Sequence, residues 1–194
     1  FDYFKINHSA EHILTMAMEE LWPGKIKKAM GPAIQSGFYF DFDTDEKISE
    51  EDFEKIEAKM KEIIKRNLPF WKKTISVQEA KDLFKDNEYK LELISELADK
   101  GEELTVYYTG DENGFVDLCM GPHVNYSKKI KAFKLLSVAG AYWRGSEKNK
   151  MLTRIYGVAF DNKEKLEKHL VALAEAKERD HRKVNEYMDI FAFS

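Results

Sequence analysis

The chain has one cysteine and five histidines, and four of these six side chains fall into two pairs of equal spacing. His8 and His12 stand four apart in "NHSAEHIL"; Cys119 and His123 stand four apart in "VDLCMGPHV". Two such pairs of N/S donors are one way a four-ligand zinc site is written along a chain. A set of one cysteine and three histidines would fill all four tetrahedral positions with protein ligands, which favours a structural metal. Without metal the same side chains could place a water and move protons, since a neutral imidazole accepts a proton near pH 7 and an imidazolium releases one. A thiol nucleophile with a histidine base is a third possibility. Catalytic Cys/His couples, however, usually come from distant segments. Spacing alone leaves the three open.

The elements that must position these residues can be read from pattern. Asn7 is expected to cap a helix running to about Trp22, with Ile13, Met16, Ala17 and Leu21 as its apolar stripe and Pro23-Gly24 as its stop. His8 and His12 then share one face. The alternating, aromatic "GFYFDFD" at 37–43 predicts a strand. Ser49 to Asp52 forms a capping box for a helix reaching about Arg66, with Phe53, Ile56, Met60 and Ile63 inward, and Ser76 to Glu79 forms another for a short helix ending near Phe84. Residues 87–100 predict a helix, 104–109 a strand, and "GDENG" a turn before the cysteine segment. Residues 133–145 and 148–160 predict a hairpin turning around 145–149, and a long charged helix runs from Asn162 to about Ile190 with Leu166, Leu170 and Leu173 on one side. Together these predict an α+β fold, a mostly antiparallel sheet packed with helices, plus a protruding C-terminal linker helix.

Composition narrows the classes. With 43% hydrophobic and 34% charged residues the chain is ordinary for a well-packed protein. No apolar run approaches the roughly 20 residues of a membrane span, and the first residues do not resemble a signal peptide. One cysteine makes no internal disulfide, so a reducing, cytoplasmic setting is expected. A net charge of −4 argues against a protein that coats nucleic acid indiscriminately. The average hides an asymmetry. From 122 to 160 the basic residues are Lys128, Lys129, Lys131, Lys134, Arg144, Lys148, Lys150 and Arg154, against the single acid Glu147, whereas 41–62 is dominated by Asp and Glu. The basic set is the candidate phosphate-attracting face, the alternative being a solvated charged surface.

At this point the sequence resembles a known family. "HSAEH" with "CMGPH" is similar to the paired signature of threonyl- and alanyl-tRNA synthetase editing domains. "GFYFDFD", "NEYKLELI", "DLCMGPHV", "FKLLSVAGAYWRG", "NKMLTRIYG" and "KERDHRK", in that order, resemble bacterial threonyl-tRNA synthetase, from Asn7 to about Phe191. The resemblance implies an editing module at 1–160 that hydrolyses the ester of seryl-tRNA(Thr) and excludes threonyl-tRNA(Thr) by size. It also implies a helix at 161–194 leading to a catalytic domain absent from the chain. The ATP-using synthetic domain, with its own zinc, and the ubiquitin-like and anticodon-binding domains are likewise missing, so no ligase activity is expected. The implied partners are the acceptor end of tRNA(Thr) and the remaining synthetase domains, with no membrane. The need is physical: serine is threonine less one methyl, worth only about 1–3 kcal/mol of discrimination in a binding pocket.

Carried over by motif, the resemblance implies catalytic roles for His8, His12, Lys90, Asp117, Cys119 and His123. Lys90 and His8 would place water at the ester carbonyl, and Asp117 would bind the α-ammonium or hydroxyl of the seryl group. Cys119 and His123 would line the pocket and orient the ribose. Tyr39, Phe40, Met120 and Gly121 are the expected substrate contacts, and the basic set from Lys128 to Arg154 the expected contacts with the acceptor stem and its CCA end. Bacterial threonyl enzymes imply no metal at the tetrad, and alanyl relatives imply zinc there. The chain departs from the family pattern at Glu11, where a small residue is usual, at Met120 in place of Arg, at Phe40 in place of Tyr, and in "WRGSEKNKML". Two alternatives stay open: a non-catalytic tRNA-binding module with a structural zinc site, and editing of alanyl esters.

Overall fold

The computed structural model describes residues 2–192, with side chains as far as residue 184. The elements in chain order are α1 (Asp2–Leu21), β1 (Lys27–Lys28), β2 (Ala33–Ile34), β3 (Gly37–Asp43), α2 (Phe53–Lys65), β4 (Phe70–Thr74), α3 (Val77–Leu83) and α4 (Glu88–Asp99). They continue with β5 (Thr105–Thr109), β6 (Phe115–Leu118), β7 (Ala132–Tyr142), β8 (Met151–Phe160) and α5 (Lys163–Ala192). The fold is α+β, and every strand pairing is antiparallel. There are two sheets where pattern suggested one: β1-β3-β8-β7 with β2 also on β3, and a smaller β4-β5-β6.

Most boundaries follow local chemistry. The Ser49 box closes on Asp52 and opens a 3-10 turn (Glu50–Asp52) that runs into α2, and the Ser76 box closes on Glu79. The hairpin pairs Tyr142 with Met151 across its closed end. Helix α1 is the exception. It begins at Asp2, so Asn7 lies inside it and does not cap it. The buried Asn7 amide instead clamps β8: Nδ2 donates to the Ala159 carbonyl at 3.0 Å and Oδ1 accepts the Ala159 N–H at 2.9 Å. A tertiary partner outweighed the capping preference.

This clamp matters because α1 carries half of the candidate site. Its apolar face, with Ala10, Ile13, Leu14 and Ala17, packs on Phe38, Phe40 and Phe42 of β3, on Ile155 of β8, and on Ile56, Met60 and Ile63 of α2. A separate small core joins Ala80 of α3, Phe84 at its C-terminal cap and Ile94 of α4 to Val106 and Tyr108 of β5. Burying each large apolar side chain contributes about 1.5–3 kcal/mol before entropy. The two cores hold α1 on one side and the β5–β6 sheet on the other, and the site forms where they meet. Among the described residues no helix is long and apolar enough to cross a membrane.

Candidate active site

The i, i+4 spacing puts His8 and His12 on the face of α1 that looks toward the loop after β6. There the donor atoms of His8, His12, Cys119 and His123 all lie within 4.8 Å of one another. Cys119 Sγ is 3.3 Å from His8 Nε2 and 3.2 Å from His123 Nε2, and the His8 and His123 rings stack at 4.0 Å. Each ring is held from behind. His8 Nδ1 is 3.1 Å from the Pro122 carbonyl. A carbonyl only accepts, so Nδ1 carries the hydrogen and Nε2 presents a lone pair to the site. Ser9 Oγ stands 3.0 Å from His123 Nδ1 and accepts the Val124 N–H at 3.0 Å, while Phe70 stacks on the same ring. The buried Nδ1 of His12 has no hydrogen-bond partner among the described residues.

The loop is shaped at Gly121, whose φ is +81° and whose N–H donates to Cys119 Sγ at 3.2 Å. A Cβ there would lie 2.7 Å from the Tyr107 ring, so glycine is needed both for the backbone and for the space.

Beside the tetrad lies a buried set of charges. Lys90 at the start of α4 and Asp117 on β6 form an ion pair at 2.8 Å, each only 3% exposed. Glu11, next to His12 on α1, places Oε2 3.9 Å from His8 Nε2 and 3.7 Å from His12 Nε2. Glu11, His12 and Asp117 also bring their donor atoms within 4.8 Å of one another. Burial, and then the charge of Asp117, push the Glu11 carboxyl well above the usual carboxylate range, with Lys90 opposing. Burial pulls all three imidazoles down; neighbouring rings add to this for His12 and His123, while the Pro122 carbonyl and Asp117 oppose it at His8. Burial pushes the Cys119 thiol up. The metal-free site therefore holds neutral imidazoles and a protonated thiol, which speaks against a thiolate nucleophile.

The donor set fits zinc. Ligands about 2.0–2.3 Å from a tetrahedral ion stand about 3.5 Å apart, close to the sulfur–nitrogen separations here. Two of the rings have their second nitrogen fixed by an oxygen, which is how ligating histidines are oriented.

The other expected site residues separate. Phe40 is buried, with the Lys90 ammonium 5.6 Å from its ring centre. Tyr39 is not brought to the tetrad: strand alternation puts it on the opposite face of β3, against Arg154 at 4.1 Å and Tyr156. Met120 stands 68% exposed at the lip. The basic set also divides. Lys134 pairs with Glu57, Arg144 with Glu92 and Glu96, Lys150 with Asp43, and Arg154 with Asp41. The acidic stretch 41–62 thus supplies counter-ions for three of the four and α4 for Arg144, and Asp41 and Arg154 are direct cross-strand neighbours. These four side chains are tied to carboxylates. Lys128, Lys129, Lys131 and Lys148 make no ion pair among the described residues.

Sequence reading missed four supporting residues. Ser9 and Glu11 lay within the histidine pair, and their signal was a polar residue at helix positions that face inward with the pair. Phe70 and Tyr107 left no local signal, because only strand pairing brings them to His123.

Known proteins resemble the chain in sequence. Residues 104–156 match the threonyl and alanyl tRNA synthetase second additional domain. Threonine–tRNA ligases of Staphylococcus aureus strains JH9, Newman and JH1 are each 50% identical to the chain over 189 residues, 97% of its length. The chain spans 28% of the length of those relatives. By the matched domain, and by identity across nearly all of its length, the chain is similar to one segment of the threonine–tRNA ligases, the segment that includes this second additional domain.

Proposed function

We propose that the chain hydrolyses the ester bond of mischarged seryl-tRNA(Thr) and spares threonyl-tRNA(Thr). The observation that carries this reading is the convergence of His8, His12, Cys119 and His123 beside the buried Lys90–Asp117 pair. An aminoacyl ester is already activated, so a placed water and a stabilised oxyanion suffice without a covalent intermediate. His8 is the acceptor for the water proton: its Nδ1–H is committed to Pro122, and its Nε2 lone pair faces the site. Lys90, held by Asp117, supplies the positive charge toward which the oxyanion forms. Asp117 receives the α-ammonium of the seryl group, and Cys119 and His123 line the pocket. Met120 and Gly121 form its lip, with Phe40 behind Lys90.

In this reading 1–160 is the editing domain and 161–194 the helix that joins it to the rest of a synthetase. Its partners are the acceptor end of tRNA(Thr) and the other synthetase domains, and its setting is the cytoplasm. Ligation with ATP belongs to other parts of the longer relatives. The test is to incubate the full chain with seryl-tRNA(Thr) and threonyl-tRNA(Thr) in parallel. Selective loss of serine supports the proposal, and equal slow decay of both esters removes it.

The donor spacing favours one second reading, a tRNA-binding module in which His8, His12, Cys119 and His123 hold a structural zinc. With four protein ligands the ion would supply folding energy and leave no open coordination position. Stoichiometric zinc in the purified protein, with unfolding on chelation and no esterase activity, would select it.

A further inference from the structure

Four lysines stand around one groove between α2 and α5. Lys61 and Lys65 lie one turn apart on α2, Lys131 precedes β7 and Lys163 opens α5. The groove measures about 370 Å³ and has an apolar floor that includes Phe133 and Leu166. One carboxylate, Glu167, lies on its rim. All four lysines are exposed, and none has an ion-pair partner among the described residues. Four basic residues of the hairpin behave differently, since Lys134, Arg144, Lys150 and Arg154 are each paired with a carboxylate. Like charges at i, i+4 cost a few tenths of a kcal/mol in a helix, so Lys61 and Lys65 form an electrostatic arrangement that the fold does not use for its own stability.

The groove is also joined to the tetrad. The 3-10 turn Ser127–Lys129 lies between them and is fixed to the end of α2, because the buried Ser127 Oγ donates to the Ile64 carbonyl at 3.0 Å and accepts the Leu68 N–H at 2.9 Å. That turn presents Lys128 and Lys129. On its other side a cavity of about 280 Å³ borders His123, Asn125 and Lys129, with Asp2 and Asp161 on its rim. Asp161 is already paired with Lys165 at 2.8 Å. Tyr126, 48% exposed, stands in the same segment between His123 and Lys128 and offers a face on which a base can stack. Lys131 is eight positions after His123, at most about 28 Å of extended chain. The two are therefore no farther apart than a run of about eight nucleotides at about 3.4 Å each.

We infer that this lysine groove receives the phosphodiester backbone of the RNA acceptor strand whose 3′ end enters the tetrad. The route runs from Lys61, Lys65 and Lys163 past Lys131, Lys128 and Lys129 to His123, with Tyr126 beside its last step. The inference rests on the esterase reading for the identity of the RNA, and on unpaired charge for the location of the groove. Commitment to RNA, and not to an acidic protein surface, follows from the continuity of the lysines with the candidate catalytic histidines.

The experiment measures binding of the full chain to a fluorescein-labelled RNA hairpin ending in a single-stranded CCA, by anisotropy at low salt and at about 200 mM salt. Lys61→Glu/Lys65→Glu is compared with a matched control on β4, Lys72→Glu/Lys73→Glu, both checked by thermal melting. The groove variant should bind at least about tenfold more weakly, with a salt slope smaller by about 0.7–0.9 for each phosphate that is no longer neutralised. The control should change less than about threefold, as expected for exposed lysines that do not line the groove. Equal losses in the two variants, or no RNA binding by the unaltered chain, would overturn the inference; the latter would point to a protein covering the groove. Hydrolysis of the small ester seryl-adenosine, which cannot reach the groove, is followed in parallel and should be unchanged in the groove variant. If the unaltered chain binds RNA through the groove yet leaves seryl-adenosine intact, the groove stands and the esterase reading falls.

Discussion

Lys90–Asp117 and Arg154–Asp41 are both close cation–carboxylate pairs, at 2.8 and 2.7 Å, yet they serve opposite ends. The first is sealed beside the tetrad with each partner 3% exposed, and the second lies on the large sheet with its arginine 25% exposed. Taking both charges of Lys90 and Asp117 out of water costs several kcal/mol per ion, which their attraction offsets only while both are present. Such a pair is a weak device for stability and an effective one for holding an ammonium at a fixed point. The outer pair does something simpler, quenching the field of a strand that sequence alone would present as basic. Proximity of opposite charges therefore says little until burial is known.

The largest effect that would test this contrast is on chemistry. His8→Ala should lower seryl-ester hydrolysis by at least about 100-fold, the lower bound for losing a general base. The thermal melt should barely move, because His8 is the most exposed of the three histidines in the tetrad; an active variant would show that the base is elsewhere. Next comes the inner pair. Lys90→Met strands a buried carboxylate and should cost about 3–5 kcal/mol of stability, read from urea unfolding. Lys90→Met/Asp117→Leu should recover part of it, and a double variant worse than the single would contradict the desolvation account. The outer pair should cost less: Arg154→Ala loses two charged hydrogen bonds to Asp41 in a half-solvated place, worth about 1–3 kcal/mol. A loss matching that of Lys90→Met would erase the distinction. The smallest effect, about 1–2 kcal/mol, is expected for Gly121→Ala, from left-handed backbone and contact with Tyr107. A larger fall in hydrolysis than in stability would show that the loop sets the position of Cys119.

Much of the fold was legible. The capping boxes at Ser49 and Ser76, the aromatic strand at 37–43 and the hairpin across 132–160 all announce themselves through turn chemistry and periodicity, which are local. The tetrad was legible for a different reason: the pairs are internally spaced, and the cysteine is single. Asn7 was misread because a polar residue at a helix start and one that clamps a distant strand look alike until Ala159 is seen beside it. The side on which Tyr39 lies could not be read, because the period of two fixes alternation and leaves the choice of face open. The pairing of Lys134, Arg144, Lys150 and Arg154 with carboxylates was not legible, since those acids lie in other segments of the chain.

The sequence by itself determined which side chains could do chemistry, the elements that carry them and the resemblance to a family, because each of these is written in types and spacings within one segment. Only the tertiary structure decided that α1 and the loop after β6 meet in one cluster, that Glu11 joins it, and that acids of β3, α2 and α4 pair with four basic residues of the hairpin while the lysines around the groove between α2 and α5 have no ion-pair partner among the described residues. The physical reason is that electrostatics and desolvation act through space, over a few ångströms between residues tens to more than a hundred positions apart, and no short window along the chain contains both partners.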